Sequence, residues 1–234
     1  MESMTQARKS LDKIVEEQIK RWQLDQKKKY KKPIRPVITM SRLPGAGANS
    51  IAARLAKELD IDLFDSQIVE RIAENSKVSK KIVESLDEQD RSILDEWLQA
   101  LAEERMWSYE YLQHLTHVVF AIGTHGHALI MGRGASFILP EEVCLRVLVV
   151  APLQTRVDNV IKAYNVPEEE AKKRVLMTEA NRIAFIRKYF NKDMLDPLNY
   201  DLVLNTKNLN IDAAVNIVKD AFNTRHWYNY SVKK

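Results

Sequence analysis

The ten residues Ser41-Arg-Leu-Pro-Gly-Ala-Gly-Ala-Asn-Ser50 have types and spacing suited to binding phosphate. Gly45 and Gly47 follow a short β-branched run and precede apolar residues at helical spacing, so they fall in a strand-to-helix turn. Backbone N–H groups at such a turn lack intrahelical acceptors and lie at the positive end of the helix dipole, and several together can cradle an anion. Against the pattern G-x-x-x-x-G-K-[ST], Gly47 fills the second glycine position, Arg42 stands at the first, and Ala48 replaces the lysine. Asn49 then intervenes before Ser50, whose hydroxyl takes the Mg2+ position in the looser G-K-x-[ST] form. Gly45, Ala46, Gly47, Ala48, Asn49 and Ser50 are thus the candidate donor-phosphate ligands. The same glycine pair would equally serve a turn made tight for packing alone.

A loop of this kind needs a strand behind it and a helix in front. Val37–Met40 reads as the strand and Ile51–Leu59 as the helix. Ile61–Phe64 is a second short strand, followed by a helix from near Ser66. Strand character returns at Ala128–Met131, Cys144–Val150 and Leu202–Leu204. Helices fall at Leu153–Tyr164, Pro167–Tyr189 and Ile211–Phe222, the second opening on a proline and three glutamates as helix N-termini prefer. Alternating buried strands and helices predict a doubly wound parallel sheet of the α/β class. Val78–Ile122 has a helical pattern, with Ser85 and Asp87 as cap or turn residues between helices, and carries Trp97, Trp107, Tyr109 and Tyr111 as an insert. Met4–Lys32 reads as one amphipathic helix stopped by Pro33 and Pro36, suited to docking on the body or on a second subunit. The expected organisation is an arm and basic linker over residues 1–35 and an α/β domain over 36–234. Within that domain the insert occupies about 78–122 and a lid about 165–195.

Charge is segregated along the chain. Residues 20–35 hold eight basic side chains against Asp25, and the remaining 28 basic and 31 acidic residues make a body of net charge −3. A nucleic-acid surface is not expected from such a body. The lone Cys144 excludes an internal disulfide framework and a multi-cysteine zinc site, and points to a reducing, cytoplasmic setting. No apolar run approaches the ~20 residues a membrane span requires. His114 with His117, and His125 with His127, lack acidic or cysteine partners at a ligand spacing.

From Pro36 to Phe222 the sequence resembles the cytidylate kinase-like family of P-loop nucleoside monophosphate kinase relatives. The resemblance rests on Pro36-Val-Ile-Thr-Met with Gly45-Ala-Gly47, Leu63-Phe-Asp-Ser66 with Arg71, Ile130-Met-Gly-Arg-Gly134 and Ala151-Pro-Leu-Gln-Thr-Arg156. It continues through Arg182, Arg187 and Lys188 to Asp196-Pro197 and Tyr200-Asp-Leu-Val-Leu-Asn-Thr206. It implies a three-layer P-loop core, ATP with Mg2+ as cofactor, and phosphoryl transfer to a nucleoside monophosphate or similar small phosphate acceptor. By the same resemblance Asp65, Ser66, Arg71, Arg133 and Asp196 contact the acceptor, Arg42 and Arg156 the donor phosphates, and Arg133, Arg182 and Arg187 serve catalysis. Two departures stand out: Ala48 in place of lysine, and Gly134 where a cytidylate kinase has an acidic residue.

Phosphoryl transfer asks for two nucleotides held in line and positive charge around the oxygens that gain negative charge. Arg42, Arg182 or Arg187 would have to supply what Ala48 cannot. Arg182 and Arg187 are five apart, about 140° around an ideal helix, so both reach one site only if the helix breaks or lies between two ligands. Plainer roles exist for each residue: Arg133 as a core-edge ion pair, Asp65 and Ser66 as helix caps, Arg156 and Arg182 as solvated surface, Asp196 as a turn residue. The rival function is a catalytically weak nucleotide sensor using the same pocket. Neither partner macromolecule nor membrane is implied beyond a possible homo-oligomer through the N-terminal helix.

Overall fold

A computed structural model describes residues 36–86 and 110–225, with Glu16, Glu17, Lys20, Glu88, Arg91, Ser92, Leu94, Asp95 and Trp227. The expected N-terminal helix and linker lie outside the described residues except for Glu16, Glu17 and Lys20, which are helical. Trp97, Trp107 and Tyr109 of the insert also lie outside them. By its internal contacts the chain divides into two compact units, one of residues 36–64 and 127–234, the other containing residues 65–126.

The larger unit is built on five parallel strands in the order β2-β3-β1-β4-β5: β1 (Val37–Arg42), β2 (Asp62–Phe64), β3 (Ala128–Met131), β4 (Cys144–Val150) and β5 (Leu202–Asn205). The central strand β1 pairs β3 through Ile38 opposite Leu129 and β4 through Ile38 opposite Leu145. Its residues Val37 to Ser41 are all buried, as a strand covered on both faces requires. The chain leaves β1 toward β2 and β3 on one side and later reaches β4 on the other. The loop after β1 therefore sits at the switch point of the sheet, outside the carboxyl ends of the strands, where ligands of open α/β sheets bind.

Helix α1 (Ala48–Leu59) begins directly at that loop and buries Ile51, Ala52, Leu55 and Ala56. Three further helices position the cleft: α6 (Leu153–Tyr164), α7 (Glu168–Phe190) and α8 (Ile211–Thr224). Helices α6 and α7 share a small core of Val157, Val160, Ala171 and Val175. One short element escaped the sequence reading, α5 (Ala135–Ile138), which is too short for periodicity to register. A 3-10 turn at Pro197–Asn199 follows Asp196, read as a turn residue.

The second unit holds α2 (Ser66–Glu74), α3 (Ser76–Glu84) and α4 (Glu110–His125). The helical stretch breaks after Glu84 at Ser85, one of the residues read as a cap between helices, which donates its hydroxyl to the Ile82 carbonyl at 2.6 Å. Within this unit Val69, Ile72, Ile82, Leu86, Leu115, Val118, Val119 and Ile122 are buried. Ser85 Oγ also lies 3.0 Å from His125 Nε2, so that histidine is part of the helical packing.

Candidate active site

The loop after β1 opens into a cleft of about 990 Å3 that lies wholly within the larger unit. Arg42 to Ile51 form its floor, α6 and α7 one wall, and the segment from Thr206 to Asp212 the other. Gly47 caps α1 in the left-handed region, at φ 80°, with no side-chain cap on the helix N-terminus. A Cβ on Gly47 would meet nothing within 4 Å, so it would project into open space. Gly45 is glycine for another reason: its Cβ would lie 2.4 Å from the Arg156 carbonyl oxygen of α6. Asn49 and Ser50 are exposed in the first turn of α1, while Ala48 is buried. First-turn amides have no intrahelical acceptor, so those of Ala48, Asn49 and Ser50 are available to an anion. The Ala46 amide, grouped with them in the sequence reading, is 3.3 Å from the Leu43 carbonyl and turned inward.

The cations divide into those that reach the cleft and those that do not. Helix α7 is unbroken from Glu168 to Phe190, so the angle between Arg182 and Arg187 stands. Arg182 lines the cleft, donating from Nη1 to the Arg42 carbonyl at 3.0 Å; Arg187 is exposed and does not line it. Burial, and then the charge of Arg133, lower the pKa of Arg182 below the ordinary guanidinium value. Arg133 itself does not line the cleft. Arg133 sits in a run of three left-handed residues, Gly132 at φ 72°, Arg133 at 51° and Gly134 at 73°. A non-glycine residue held there costs about 1–3 kcal/mol, and such strain clusters at ligand clamps. Gly134 has no room for a side chain, since its Cβ would lie 2.3 Å from the Phe190 ring.

Arg156 is buried and fully engaged: Nε donates to the Ala151 carbonyl at 2.9 Å and Nη1 to Glu179 Oε2 at 2.9 Å. The geometry gives it a strut between α6 and α7, and it is absent from the cleft lining. Asp65 caps α2, accepting from the amides of Gln67 and Ile68, and Ser66 is the first residue of that helix. Arg71 is exposed in its last turn. Asp196 accepts from the Leu198 amide at 2.9 Å and starts the 3-10 turn. Asp65 thus fills the capping role read for it and Asp196 the turn role, whereas Ser66 lies inside the helix and is not its cap.

Sequence reasoning missed half of the cleft. Lys207 and Arg174 line it as additional cations, with Asn159, Tyr164, Thr178, Thr206, Leu209 and Asn210. Tyr164 and Ile211 are large apolar side chains left exposed at its wall, and the Arg174 guanidinium lies 5.8 Å from the Tyr164 ring centroid. Apart from Thr206, which closes the Tyr200–Thr206 run, none of these belongs to a motif; only their position after a strand or on the helix facing the loop could have marked them. Among the described residues no group of three His, Cys, Asp or Glu side chains could hold a metal by itself. A divalent cation here would rely on a ligand's own oxygens together with the exposed Ser50 hydroxyl, a donor set that suits Mg2+.

Comparison with known proteins bears on this arrangement. The family model described as "Cytidylate kinase-like family" matches residues 37–208. A cytidylate kinase of Methanopyrus kandleri is 25% identical over 198 residues, 79% of this chain and 92% of its own. Another, of Desulfurococcus amylolyticus, is 27% identical over 182 residues, 78% of this chain and 90% of its own. The crystal structure of an uncharacterized protein from Eubacterium ventriosum superimposes with a TM-score of 0.57 at 16% identity, covering 81% of this chain and 99% of that one.

Proposed function

This chain belongs to the cytidylate kinase-like family, and from that premise we propose that it transfers a phosphoryl group from ATP to a nucleoside monophosphate or similar small phosphate acceptor. The observation that carries the proposal is the cleft. It joins amides of a helix N-terminus to Arg182, whose guanidinium donates to the neutral Arg42 carbonyl, and to the further cations Lys207 and Arg174. A polyphosphate on that floor would neutralise these cations and accept from the amides of Gly47, Ala48, Asn49 and Ser50.

The chemistry asks little else of the chain. Charge spreads over the transferred group's oxygens in the transition state, so fixed donors lower the barrier by favouring that charge over the ground state. Arg182 and Arg133 are assigned that task, with Lys207 and Arg174 holding the donor. Mg2+, when bound with ATP, supplies further charge on the phosphate oxygens and would be held by Ser50. Asp65, Ser66, Arg71 and Asp196 are assigned to the acceptor on the family resemblance.

The test is to incubate purified protein with ATP, Mg2+ and each common nucleoside monophosphate, and to follow diphosphate formation chromatographically. Product with at least one acceptor is the expected outcome. Saturable ATP binding with no product from any acceptor would favour the sensor reading, to which the missing lysine at Ala48 lends support. Absence of ATP binding would end both.

A further inference from the structure

The shape of the phosphate loop has its own set of supports. Three of its carbonyls are held by side chains arriving from three different elements. Arg182 of α7 donates to Arg42 O at 3.0 Å, Asn159 of α6 donates from Nδ2 to Gly45 O at 2.8 Å, and Thr206, at the end of β5, places Oγ1 3.0 Å from Ala46 O. The Thr206 hydroxyl also lies 3.3 Å from Val150 O, so its single proton is nearer the loop than the strand. The peptide group is planar and trans, so fixing a carbonyl fixes the N–H of the next residue in the opposite direction.

The three pinned planes differ in what becomes of that N–H. Leu43 N–H is given to Val149 O at 2.9 Å, and Ala46 N–H to Leu43 O at 3.3 Å. The plane between Ala46 and Gly47 is held only at its carbonyl, and Gly47 N–H has no acceptor among the described residues. Gly47 is exposed on the cleft floor and the space beside it is open.

We propose that Thr206 and Asn159 are positioning residues for the anion cradle: they turn the loop's carbonyls outward and so hold the Gly47 amide toward the ligand. In this chain they set a geometry that no loop lysine, at Ala48, is present to organise. The inference rests on the nucleotide reading above for its ligand, and on the geometry alone for the clamp. Substitution at Thr206 removes the donor that fixes the one plane whose amide is left for an anion, whereas substitution at Asn159 loosens the plane before it.

The experiment uses the full chain and inorganic tripolyphosphate, which has no base or sugar to bind elsewhere. Titration calorimetry on Thr206→Val should show affinity about tenfold weaker than the parent, and Asn159→Ala a smaller loss. Thr206→Ser, which keeps the hydroxyl, should restore affinity to within about twofold of the parent. Hydrogen exchange of the ligand-free proteins separates positioning from direct contact. Amides from Leu43 to Ser50 should exchange faster in Thr206→Val than in the parent, with Thr206→Ser unchanged and the rest of the sheet unaffected. Unchanged loop exchange in Thr206→Val would overturn the clamp, as would unaltered tripolyphosphate affinity. Asn159→Ala, at an exposed position, carries both measurements if Thr206→Val does not fold. A parent that binds neither tripolyphosphate nor ATP would instead sink the nucleotide reading, while the exchange comparison would still decide whether the loop is clamped.

Discussion

Ala48 takes a methyl group to the place where related loops carry a cation, and the structure buries it. The positive charge around the cleft comes instead from Arg42, Arg182, Lys207 and Arg174, all of which line it. Removing one well-aimed donor from a phosphoryl-transfer site costs roughly 100-fold or more in turnover. Arg182→Ala should therefore lower kcat for diphosphate formation by about 100-fold with ATP and the best acceptor, and Arg187→Ala by less than about threefold. A comparable loss at Arg187 would contradict the placement of that side chain outside the cleft. Gly134 is a second residue whose type is dictated by its surroundings. Gly134→Ala forces a side chain into left-handed backbone and against the Phe190 ring, and should destabilise the fold by about 2–4 kcal/mol in urea unfolding. The acidic residue found at that position in cytidylate kinases would meet the same obstacle.

At the scale of elements, α7 joins the walls of the cleft to the sheet. One end of it packs on α6 through Val175 and Ala171 and through the Arg156–Glu179 pair. Its other end carries Phe185, Tyr189 and Phe190 into an aromatic group, with Phe190 stacked on Phe137 at 5.7 Å and Phe137 edge-on to Tyr200 at 6.1 Å. Tyr200 in turn donates to the Met194 carbonyl at 2.8 Å, tying down the chain that follows the helix. Because the Arg156 guanidinium is buried, deleting its partner leaves an uncompensated charge. Glu179→Ala should cost about 3 kcal/mol by denaturant unfolding. The double variant Arg156→Met, Glu179→Leu should recover most of that loss, since paired removal leaves no buried charge behind. The sequence treated Arg156 and Arg182 alike, as arginines on amphipathic helices near a phosphate loop. Which of them is held by a carboxylate and which turns to the cleft depends on how α6 and α7 pack, and no spacing within either helix encodes that.

Across the whole molecule, the sheet end remote from the cleft is secured by charge. Asp201 accepts from the Arg146 amide at 2.8 Å, from Arg146 Nη2 at 3.3 Å and from Arg225 Nη1 at 2.6 Å, joining β4, the approach to β5 and the end of α8. Burial alone would raise its pKa, but the Arg146 amide and the two guanidinium groups outweigh it and hold the carboxyl below the usual aspartate range. A carboxylate depressed in this way stabilises the fold above its unfolded pKa of about 4, and that stabilisation is lost as pH falls through the lower folded value. Asp201→Asn should be less stable than the parent at neutral pH, and the gap should close as pH falls below about 4 in urea unfolding. At the opposite end, Mg-ATP at about 100 times its Kd should raise the unfolding free energy by ~2.7 kcal/mol through mass action. A thermal scan showing no shift at saturating Mg-ATP would contradict binding.

Much of this architecture was readable from local patterns. The five strands, the helices over 153–164 and 168–190, and the strand-loop-helix unit around Gly47 follow from periodicity, turn residues and capping, which act between neighbours in sequence. Cradle amides belong with these, because they come from backbone whose conformation the glycines themselves permit. The cleft's walls belong to another level. Lys207 follows Asn205, whose side chain accepts the Lys207 amide at 3.0 Å in an ordinary turn, and nothing local marks it as facing a loop 160 residues earlier. Asn159 and Thr206 reach Gly45 and Ala46 only because the sheet order sets β4 beside β1 and β5 beside β4. The sequence by itself determined which backbone segment could bind an anion; tertiary packing decided which side chains surround it, because their partners lie more than a hundred residues away and are chosen by strand order rather than by any local preference.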